Sequence, residues 1–288
     1  MTHSRLATPG STVAELAAHG LRTRKALGQH FLIDDNVVGR IINLARPPAD
    51  AAVLEVGPGI GTLTLALCGH AGHVVAVERD RRLESVLALR AEECPNLSVV
   101  FADAVKVAPE ELHTPLGLPV ALIANLPYGV AATLVLRFFE ELPSLQSATV
   151  MVQAEVADRM TARPGTKDYG SYTVKLGLHA FAAGRFAVSR GCFLPPPRVD
   201  SAVVRLERLE DPHEQQVITD AARAADAGFA QRRKTLRNSL RSSLGADSAT
   251  LEQALLHAGI DGSVRAETLP LDAYPVLGMA LREYGLLP

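Results

Sequence analysis

Short apolar runs alternate with amphipathic stretches between residues 50 and 152 of the 288-residue chain. This pattern is typical of strands that alternate with helices around a parallel sheet, because such strands are buried on both faces. The apolar runs predict strands at Ala52–Val56, His73–Val77, Leu97–Phe101, Val120–Ala124 and Ala148–Gln153. Apolar positions at helical spacing predict helices at Thr62–Cys68, Arg81–Ala91 and Ala131–Glu141. We therefore expect an α/β fold with a Rossmann-like sheet in this part of the chain.

The pattern changes after Tyr172. Apolar and β-branched residues predict strands within Thr173–Phe181 and Ala202–Leu206, separated by the stiff run Pro195–Pro197. This arrangement suits an antiparallel return at the edge of the sheet, where proline is tolerated. Beyond Glu210 the chain is rich in Ala, Leu, Arg and Gln, which predicts helices.

Composition and length indicate a globular protein of two domains, which we place at residues 1–209 and 210–288. Hydrophobic residues make up 48% and charged residues 21%, enough apolar material for a buried core. The first twenty residues are expected to be partly disordered. Three cysteines lie far apart without metal-ligand spacing, which suggests neither disulfides nor a metal site and favours a reducing cytoplasm. A secreted or membrane-spanning protein is not expected, since neither a signal-like start nor a long apolar run is present.

Closely spaced glycines follow the first predicted strand, where the helix begins. Glycine lets the backbone approach a ligand that a Cβ would push away. A nicotinamide-binding turn, Gly-x-Gly-x-x-Gly, would need glycine at position 62, which is Thr62 here. The spacing of Gly57, Gly59 and Gly61 therefore favours S-adenosylmethionine, and a nicotinamide-dependent dehydrogenase is the competing class.

Two acidic residues end the next strands. Glu78 can accept hydrogen bonds from both hydroxyls of a cofactor ribose, and Asp103 can accept one from the adenine amino group. Both lie at carboxyl ends of strands, where open α/β sheets bind ligands. The alternative is a tight turn with two solvated carboxylates.

The segment Asn125-Leu126-Pro127-Tyr128 follows the fourth predicted strand directly, so it should lie at the same sheet edge as the cofactor. The Asn125 side-chain carbonyl and the Leu126 backbone carbonyl can each accept one hydrogen of an adenine amino group, favouring a pyramidal nitrogen. Pro127 keeps Leu126 extended, and the Tyr128 ring offers a stacking face for a flipped-out base. A strong general base is unnecessary, because the methylated ammonium is acidic enough to lose its proton to water. An ordinary Asn-x-Pro turn with a core tyrosine is the alternative.

A net charge of −2 argues mildly against a nucleic-acid partner, so RNA would have to be held by local basic patches. The strongest candidate patch, predicted to be helical, consists of Arg232, Arg233, Lys234, Arg237 and Arg241. No acidic residue occurs from Ala227 to Gly245, and spacing by four would align Arg233, Arg237 and Arg241 on one helix face. A second cluster contains Arg22, Arg24 and Lys25. The alternative is a solvated helix face with ion pairs.

Together these motifs resemble those of the ribosomal RNA adenine dimethyltransferases, most closely those that act on small-subunit (16S) RNA. The resemblance runs from about Arg24 to the C-terminus and includes the segments 27–32, 169–170, 193–201 and 231–240. Large-subunit RNA methyltransferases that confer macrolide resistance share the cofactor motifs and the Asn-x-Pro-Tyr turn. Segments 193–201 and 232–240 favour the small-subunit branch.

The resemblance implies a class I methyltransferase sheet and transfer of two methyl groups to N6 of each of two adjacent adenosines. These adenosines would lie in a hairpin loop near the 3′ end of 16S RNA, within the small subunit or its precursor. We expect the enzyme to be cytoplasmic, as the cysteine pattern favours, and monomeric. An assembly factor whose main role is a checkpoint, with methylation secondary, is a further alternative.

Residue roles also follow from the resemblance. It assigns cofactor contacts to His30, Leu32, Gly57, Glu78, Asp103 and Asn125. It implies that Phe193 is a second aromatic wall opposite Tyr128. Two positions depart from the pattern: His30 stands where relatives commonly have Asn, and Gly129 where they usually have a polar residue.

Overall fold

The computed structural model describes residues 2–21 and 29–287. Leu27 and Gly28 of the first motif lie outside these residues, as do Arg22, Arg24 and Lys25 of the second basic cluster. The chain divides into two compact units, one formed by Met1–Ala157 with Ala182–Arg208 and the other by Asp158–Phe181 with Leu209–Pro288. Within the described residues, no helix combines the length and apolar character needed to cross a membrane.

The elements up to the end of the sheet include the strands and helices that the sequence predicts between residues 50 and 152. They are α1 (Pro9–Ala18), β1 (Phe31–Leu32), α2 (Asp35–Ala45), β2 (Ala52–Val56), α3 (Thr62–Cys68), β3 (His73–Glu78), α4 (Glu84–Glu93), β4 (Leu97–Phe101), β5 (Ala121–Asn125), α5 (Ala131–Glu141), β6 (Ser147–Gln153), α6 (Ala154–Met160), α7 (Ser171–Gly177), β7 (Ala180–Val188), β8 (Phe193–Leu194) and β9 (Ser201–Arg208). The helices that follow are α8 (Gln215–Phe229), α9 (Leu236–Leu244), α10 (Ser248–His257) and α11 (Ala273–Glu283).

The main sheet has the strand order β4-β3-β2-β5-β6-β9-β7. Strands β2 to β6 pair in parallel, and β9 returns antiparallel to β6. This confirms the predicted α/β class. Strand β2 has β3 on one side and β5 on the other, so the strand order reverses beside it. Open sheets bind ligands at such a switch point, outside the carboxyl ends of the strands.

Apolar faces of two helices cover the sheet near this point. Val38 and Ile41 of α2 and Leu67 of α3 are almost completely buried, in one cluster with Val53 and Val74 of the sheet. Each such side chain contributes about 1.5 to 3 kcal/mol relative to an exposed one. The switch point is therefore supported by a buried hydrophobic core.

The second unit is a helical bundle, which confirms the helices predicted beyond Glu210. Its core includes Leu240, Leu255 and Tyr274. At Gly278 an added Cβ would lie 2.6 Å from the backbone nitrogen of Ala221, so only glycine lets α11 approach α8 this closely.

Two predictions about local structure are wrong. The strand expected at Thr173–Phe181 is replaced by α7 and the beginning of β7, although Thr173 and Val174 are β-branched. The first twenty residues contain α1, whose N-cap Thr8 accepts the backbone N–H of Ser11. In both places packing overrides local preference, because Val174 and Leu16 are buried.

The structure also differs from the single predicted domain boundary. Residues 1–209 were expected in one domain, but Asp158–Phe181 belongs to the helical unit. Tyr169 and Val174 lie in the helical core, and Lys175 forms an ion pair of 2.9 Å with Asp226 of α8. A segment that precedes the last strands can thus pack with helices that follow them.

Candidate active site

A cavity of about 660 Å³ opens at the carboxyl ends of the parallel strands, in the size range of small-molecule sites. The structure brings ten of the predicted site residues to its walls: His30, Leu32, Gly57, Gly59, Glu78, Asp103, Asn125, Leu126, Pro127 and Tyr128. They come from the carboxyl ends of β2, β3, β4 and β5, or the turns directly after them, and from the residues around β1. The sheet edge therefore assembles residues that are far apart in sequence.

The glycine turn connects β2 to α3 in a left-handed backbone conformation. Gly57 has φ = 71° and Gly59 has φ = 61°, values that side-chain-bearing residues rarely adopt. A Cβ on Gly59 would lie 3.1 Å from the ring of Phe31. The turn therefore needs glycine both for its backbone conformation and for close packing against β1.

Glu78 is held at the end of β3 by main-chain donors. It is 7% exposed, its Oε1 accepts the N–H of Asp80 at 2.8 Å, and its Oε2 accepts that of Gly59 at 3.3 Å. Burial raises its pKa, against these backbone hydrogen bonds, which lower it. Each oxygen keeps a further lone pair, so the carboxyl can accept hydrogen bonds from two neighbouring hydroxyls.

Asp103 is more accessible, with 31% of its side chain exposed. Its Oδ1 accepts the N–H of Val105 at 3.1 Å, and its Oδ2 lies 3.7 Å from the Arg79 guanidinium. The carboxylate is thus oriented by the turn after β4 and can accept a hydrogen bond from a ligand amino group.

Asn125 ends β5 with its amide orientation fixed. Its Nδ2 donates to the backbone carbonyl of His30 at 3.2 Å. Because a carbonyl only accepts, Oδ1 must be the amide atom left to accept from a ligand. Leu126 donates its N–H to the carbonyl of Met151 at 3.1 Å, while no described residue donates to the Leu126 carbonyl. Both acceptors proposed for an amino group are therefore available side by side.

Tyr128 lies next to these acceptors. Its hydroxyl is 2.6 Å from the hydroxyl of Ser201 in β9, and burial raises its pKa, so it remains a neutral phenol. The imidazole of His30 stacks on its ring, with centroids 5.6 Å apart and planes 23° from parallel. Nδ1 of His30 lies 2.7 Å from the carbonyl of Pro195, which places the imidazole proton on Nδ1.

The structure does not bring Phe193 to the walls of this cavity. Phe193 is in β8, pairs with Leu32 of β1 and is 2% exposed within the hydrophobic core. The ring that faces Tyr128 is His30 instead. A base-stacking role for Phe193 stays a prediction and would require its side chain to leave the core.

Sequence reasoning missed Glu55, which precedes the glycine turn and lines the cavity. It is 2% exposed, and burial raises its pKa to about 8; the repulsion of Glu78 adds to this shift and the hydroxyl of Thr64 opposes it. The available signal was an acidic residue inside the apolar run Ala52–Val56.

The predicted basic patch lies in the helical unit, but it is not one helix face. Arg232, Arg233 and Lys234 are in a turn, because α9 begins at Leu236 with Thr235 as its N-cap. Only Arg237 and Arg241 share that helix, one turn apart. The predicted alignment of Arg233 with them is therefore wrong.

Several patch residues have protein partners. Arg232 donates to the carbonyls of Lys167 and Tyr169 and lies 3.3 Å from Glu267. Arg237 forms an ion pair with Glu252, although 44% of its side chain is exposed. Arg232 thus connects two loops of the helical unit, and Arg237 is partly neutralised.

The fold and the site define a Rossmann-like methyltransferase that uses S-adenosylmethionine. The cavity fits this group: Glu78 and Asp103 offer hydrogen-bond acceptors, and the glycine turn leaves space that a Cβ would fill. A family model described as ribosomal RNA adenine dimethylase matches residues 20–276, and the chain belongs to this family. It is an S-adenosylmethionine-dependent enzyme that methylates adenine in ribosomal RNA, which decides against a dehydrogenase.

Individual relatives agree with this assignment. The chain is 45% identical over 271 residues to "Ribosomal RNA small subunit methyltransferase A" of Thermobifida fusca, covering 92% of this chain and 93% of that protein. It is 39% identical to the protein of the same name in Geobacillus thermodenitrificans, with 97% and 98% covered. Among solved structures, a dimethyladenosine transferase from Plasmodium falciparum matches with a TM-score of 0.75 and 25% identity, covering 89% of this chain and 98% of that one. The 23S rRNA methyltransferase ErmE matches with 0.66 and 30%, covering 88% and 99%.

Proposed function

We propose that the enzyme transfers two methyl groups to N6 of each of two adjacent adenosines in a hairpin loop near the 3′ end of 16S RNA. The observation that carries the chemistry is the pair of acceptors at Asn125 Oδ1 and the Leu126 carbonyl beside Tyr128. The names and near-complete overlap of the relatives at 39–45% identity support the small subunit as the source of this RNA.

The proposed roles divide between the two ligands. Gly57, Gly59, Glu78 and Asp103 hold the cofactor, together with His30 and Leu32, which also line the cavity. Asn125 and Leu126 accept the amino hydrogens of the adenine, and Tyr128 stacks on its ring. S-adenosylmethionine supplies an electrophilic methyl group when bound.

The transfer itself needs little acid–base chemistry from the protein. With the cofactor bound, the amino nitrogen held by Asn125 and Leu126 would take the methyl group, and the electron pair of the broken carbon–sulfur bond would remain on sulfur. The positively charged nitrogen then loses a proton to water. For the second transfer the amine already carries one methyl group. Gly129 lines the cavity, and nothing lies within 4 Å of a Cβ built on it, which leaves room beside Tyr128.

We further propose that the exposed cations Arg233, Lys234, Arg237 and Arg241 contact RNA phosphates. Arg232 is included in this patch, although its protein contacts give it a structural role as well. The enzyme would act in the cytoplasm as a monomer on the small subunit or its precursor.

The test is to incubate the protein with radiolabelled S-adenosylmethionine and undermethylated small subunits, with large subunits and the Tyr128→Ala variant as controls. We expect label in N6,N6-dimethyladenosine at two adjacent positions of 16S RNA, and much less with the variant. Label in large-subunit RNA would contradict the proposal. Tight binding of small subunits without label would instead favour the checkpoint role.

A further inference from the structure

Glu55 places a carboxyl group at a buried wall of the cofactor cavity. It lies in the central strand β2, two residues before the glycine turn, and is 2% exposed. Its Oε2 is buried and has no hydrogen-bond partner among the described residues. An unpaired buried carboxylate would have a high free energy, because its charge is removed from water and no hydrogen bond or positive charge replaces the lost hydration.

The groups around Glu55 do not supply that compensation. Glu78 of β3 repels a negative charge there. Burial raises the pKa of the nearby Cys68 thiol in α3, to which Cys94 and Glu55 add, so this thiol stays neutral and offers no positive charge. The Thr64 hydroxyl of α3 favours the charged form, but its effect is smaller than that of burial. No described cationic side chain acts on the carboxyl. With a pKa of about 8, Glu55 holds its proton at neutral pH when the cavity contains no ligand.

The cofactor should favour the ionised form of Glu55 over the protonated form, because it carries a net positive charge. Its sulfonium and ammonium groups carry two positive charges against one carboxylate. A positive charge brought into a low-dielectric cavity favours ionisation of a nearby acid. We propose that Glu55 is a neutral acid in the empty site and releases its proton when S-adenosylmethionine binds, so that cofactor binding is coupled to proton release. The inference depends on the cofactor and not on which RNA is methylated.

The affinity for S-adenosylmethionine and the number of protons released on binding should both depend on pH. If binding requires ionised Glu55, affinity rises about tenfold per pH unit up to pH 8 and levels off above it. At pH 7 an acid with this pKa is about nine-tenths protonated, so binding should release roughly 0.9 proton per site.

Calorimetric titration of the full-length protein with S-adenosylmethionine tests the proposal. Titrations at pH 7 in buffers of different ionisation enthalpy give the number of protons released. We expect Glu55→Gln to release at least roughly 0.5 proton fewer than the wild type, and to lose the tenfold dependence of affinity on pH. The matched control is Glu78→Gln, because burial also raises the pKa of Glu78. It should bind more weakly and still release a proton from Glu55, although somewhat less than the wild type, because the repulsion of Glu78 that raises the pKa of Glu55 is removed.

Two results would overturn the proposal. One is equal proton release by the wild type and Glu55→Gln, and the other is loss of the release only in Glu78→Gln. Infrared difference spectra of the wild type cover the case in which Glu55→Gln fails to fold. Addition of S-adenosylmethionine should remove one protonated-carboxyl band, and an unchanged band would show that no buried acid ionises.

Discussion

The ionisable side chains of the cofactor cavity and those of the basic patch in the helical unit differ in their burial and in the groups that hold them in place. Glu78 is 7% exposed, and each of its oxygens accepts a main-chain N–H from a turn of fixed conformation. Arg237 keeps 44% of its side chain exposed and is paired with Glu252, whose side chain is 45% exposed. Groups fixed in a water-poor cavity interact strongly and in one geometry, whereas exposed charges are screened by solvent and salt.

This difference implies large effects of single changes in the cavity and graded effects on the patch. The largest effect is expected for Asn125→Ala. This change removes Oδ1, the amide atom that remains free to accept a hydrogen bond because Nδ2 donates to the carbonyl of His30. Loss of one fixed group that stabilises a transition state lowers kcat about 10²- to 10³-fold. The rate of methyl transfer is measured in single-turnover experiments at saturating S-adenosylmethionine. Under this condition a loss of cofactor affinity does not affect the measured rate.

Asn125→Asp serves as the matched control, since it keeps acceptor oxygens but loses the Nδ2 donor that fixes the side chain. We expect its rate to lie between those of the wild type and Asn125→Ala. A wild-type rate in Asn125→Ala would remove this residue from the chemistry and leave only the Leu126 carbonyl.

The parts of the site that could be predicted are those set by local order along the chain. Strand, turn and helix follow each other at Gly57–Thr62, and the carboxyl ends of parallel strands meet at one edge, so Glu78, Asp103 and Asn125 could be brought together in advance. Local order along the chain does not predict which side chains from distant segments contact each other. The bond of Tyr128 to Ser201 spans 73 residues of sequence, and Asn125 to His30 spans 95.

Burial accounts for two further differences between the sequence analysis and the structure. Sequence pattern predicts that a side chain is apolar or polar, but not what the surrounding fold does with it. The resemblance predicts Phe193 at the substrate, whereas its side chain lies in the core of this structure. Sequence reasoning assigns no role to Glu55, whose buried carboxyl lines the cavity and has an unpaired Oε2. Arg233 was expected on a helix that begins only at Leu236, since Thr235 caps it there.

A second, smaller effect is expected for Glu78→Ala, because it removes the acceptors proposed for the cofactor ribose. Loss of charge-assisted hydrogen bonds costs about 1.5 to 3 kcal/mol, which weakens S-adenosylmethionine binding roughly 10- to 150-fold. Isothermal titration calorimetry measures the affinity. Unchanged affinity in Glu78→Ala would mean that other residues bind the ribose. A buried, fixed carboxyl in the cavity would then contribute no more to binding than an exposed charge of the patch.

The smallest effect per residue is expected on the basic patch. Replacing Arg233, Arg237 and Arg241 together by Ala should weaken small-subunit RNA binding by about tenfold, because exposed charge pairs contribute only about 0.2 to 1 kcal/mol each. The affinity for S-adenosylmethionine should not change. The slope of log K against log salt should become shallower by up to about 0.9 for each phosphate contact removed in duplex-like regions. Fluorescence titrations with labelled RNA at several salt concentrations give both quantities.

Glu252→Gln provides the opposite test, because it frees Arg237 from its ion pair without removing any cation. If Arg237 contacts phosphate, this variant should bind RNA more tightly than the wild type and show a steeper salt dependence. If the triple variant binds more weakly with an unchanged salt slope, and Glu252→Gln binds like the wild type, the patch is structural. The arginines would then act as Arg232 does, through contacts within the helical unit, and the RNA-binding surface would have to be formed by other residues.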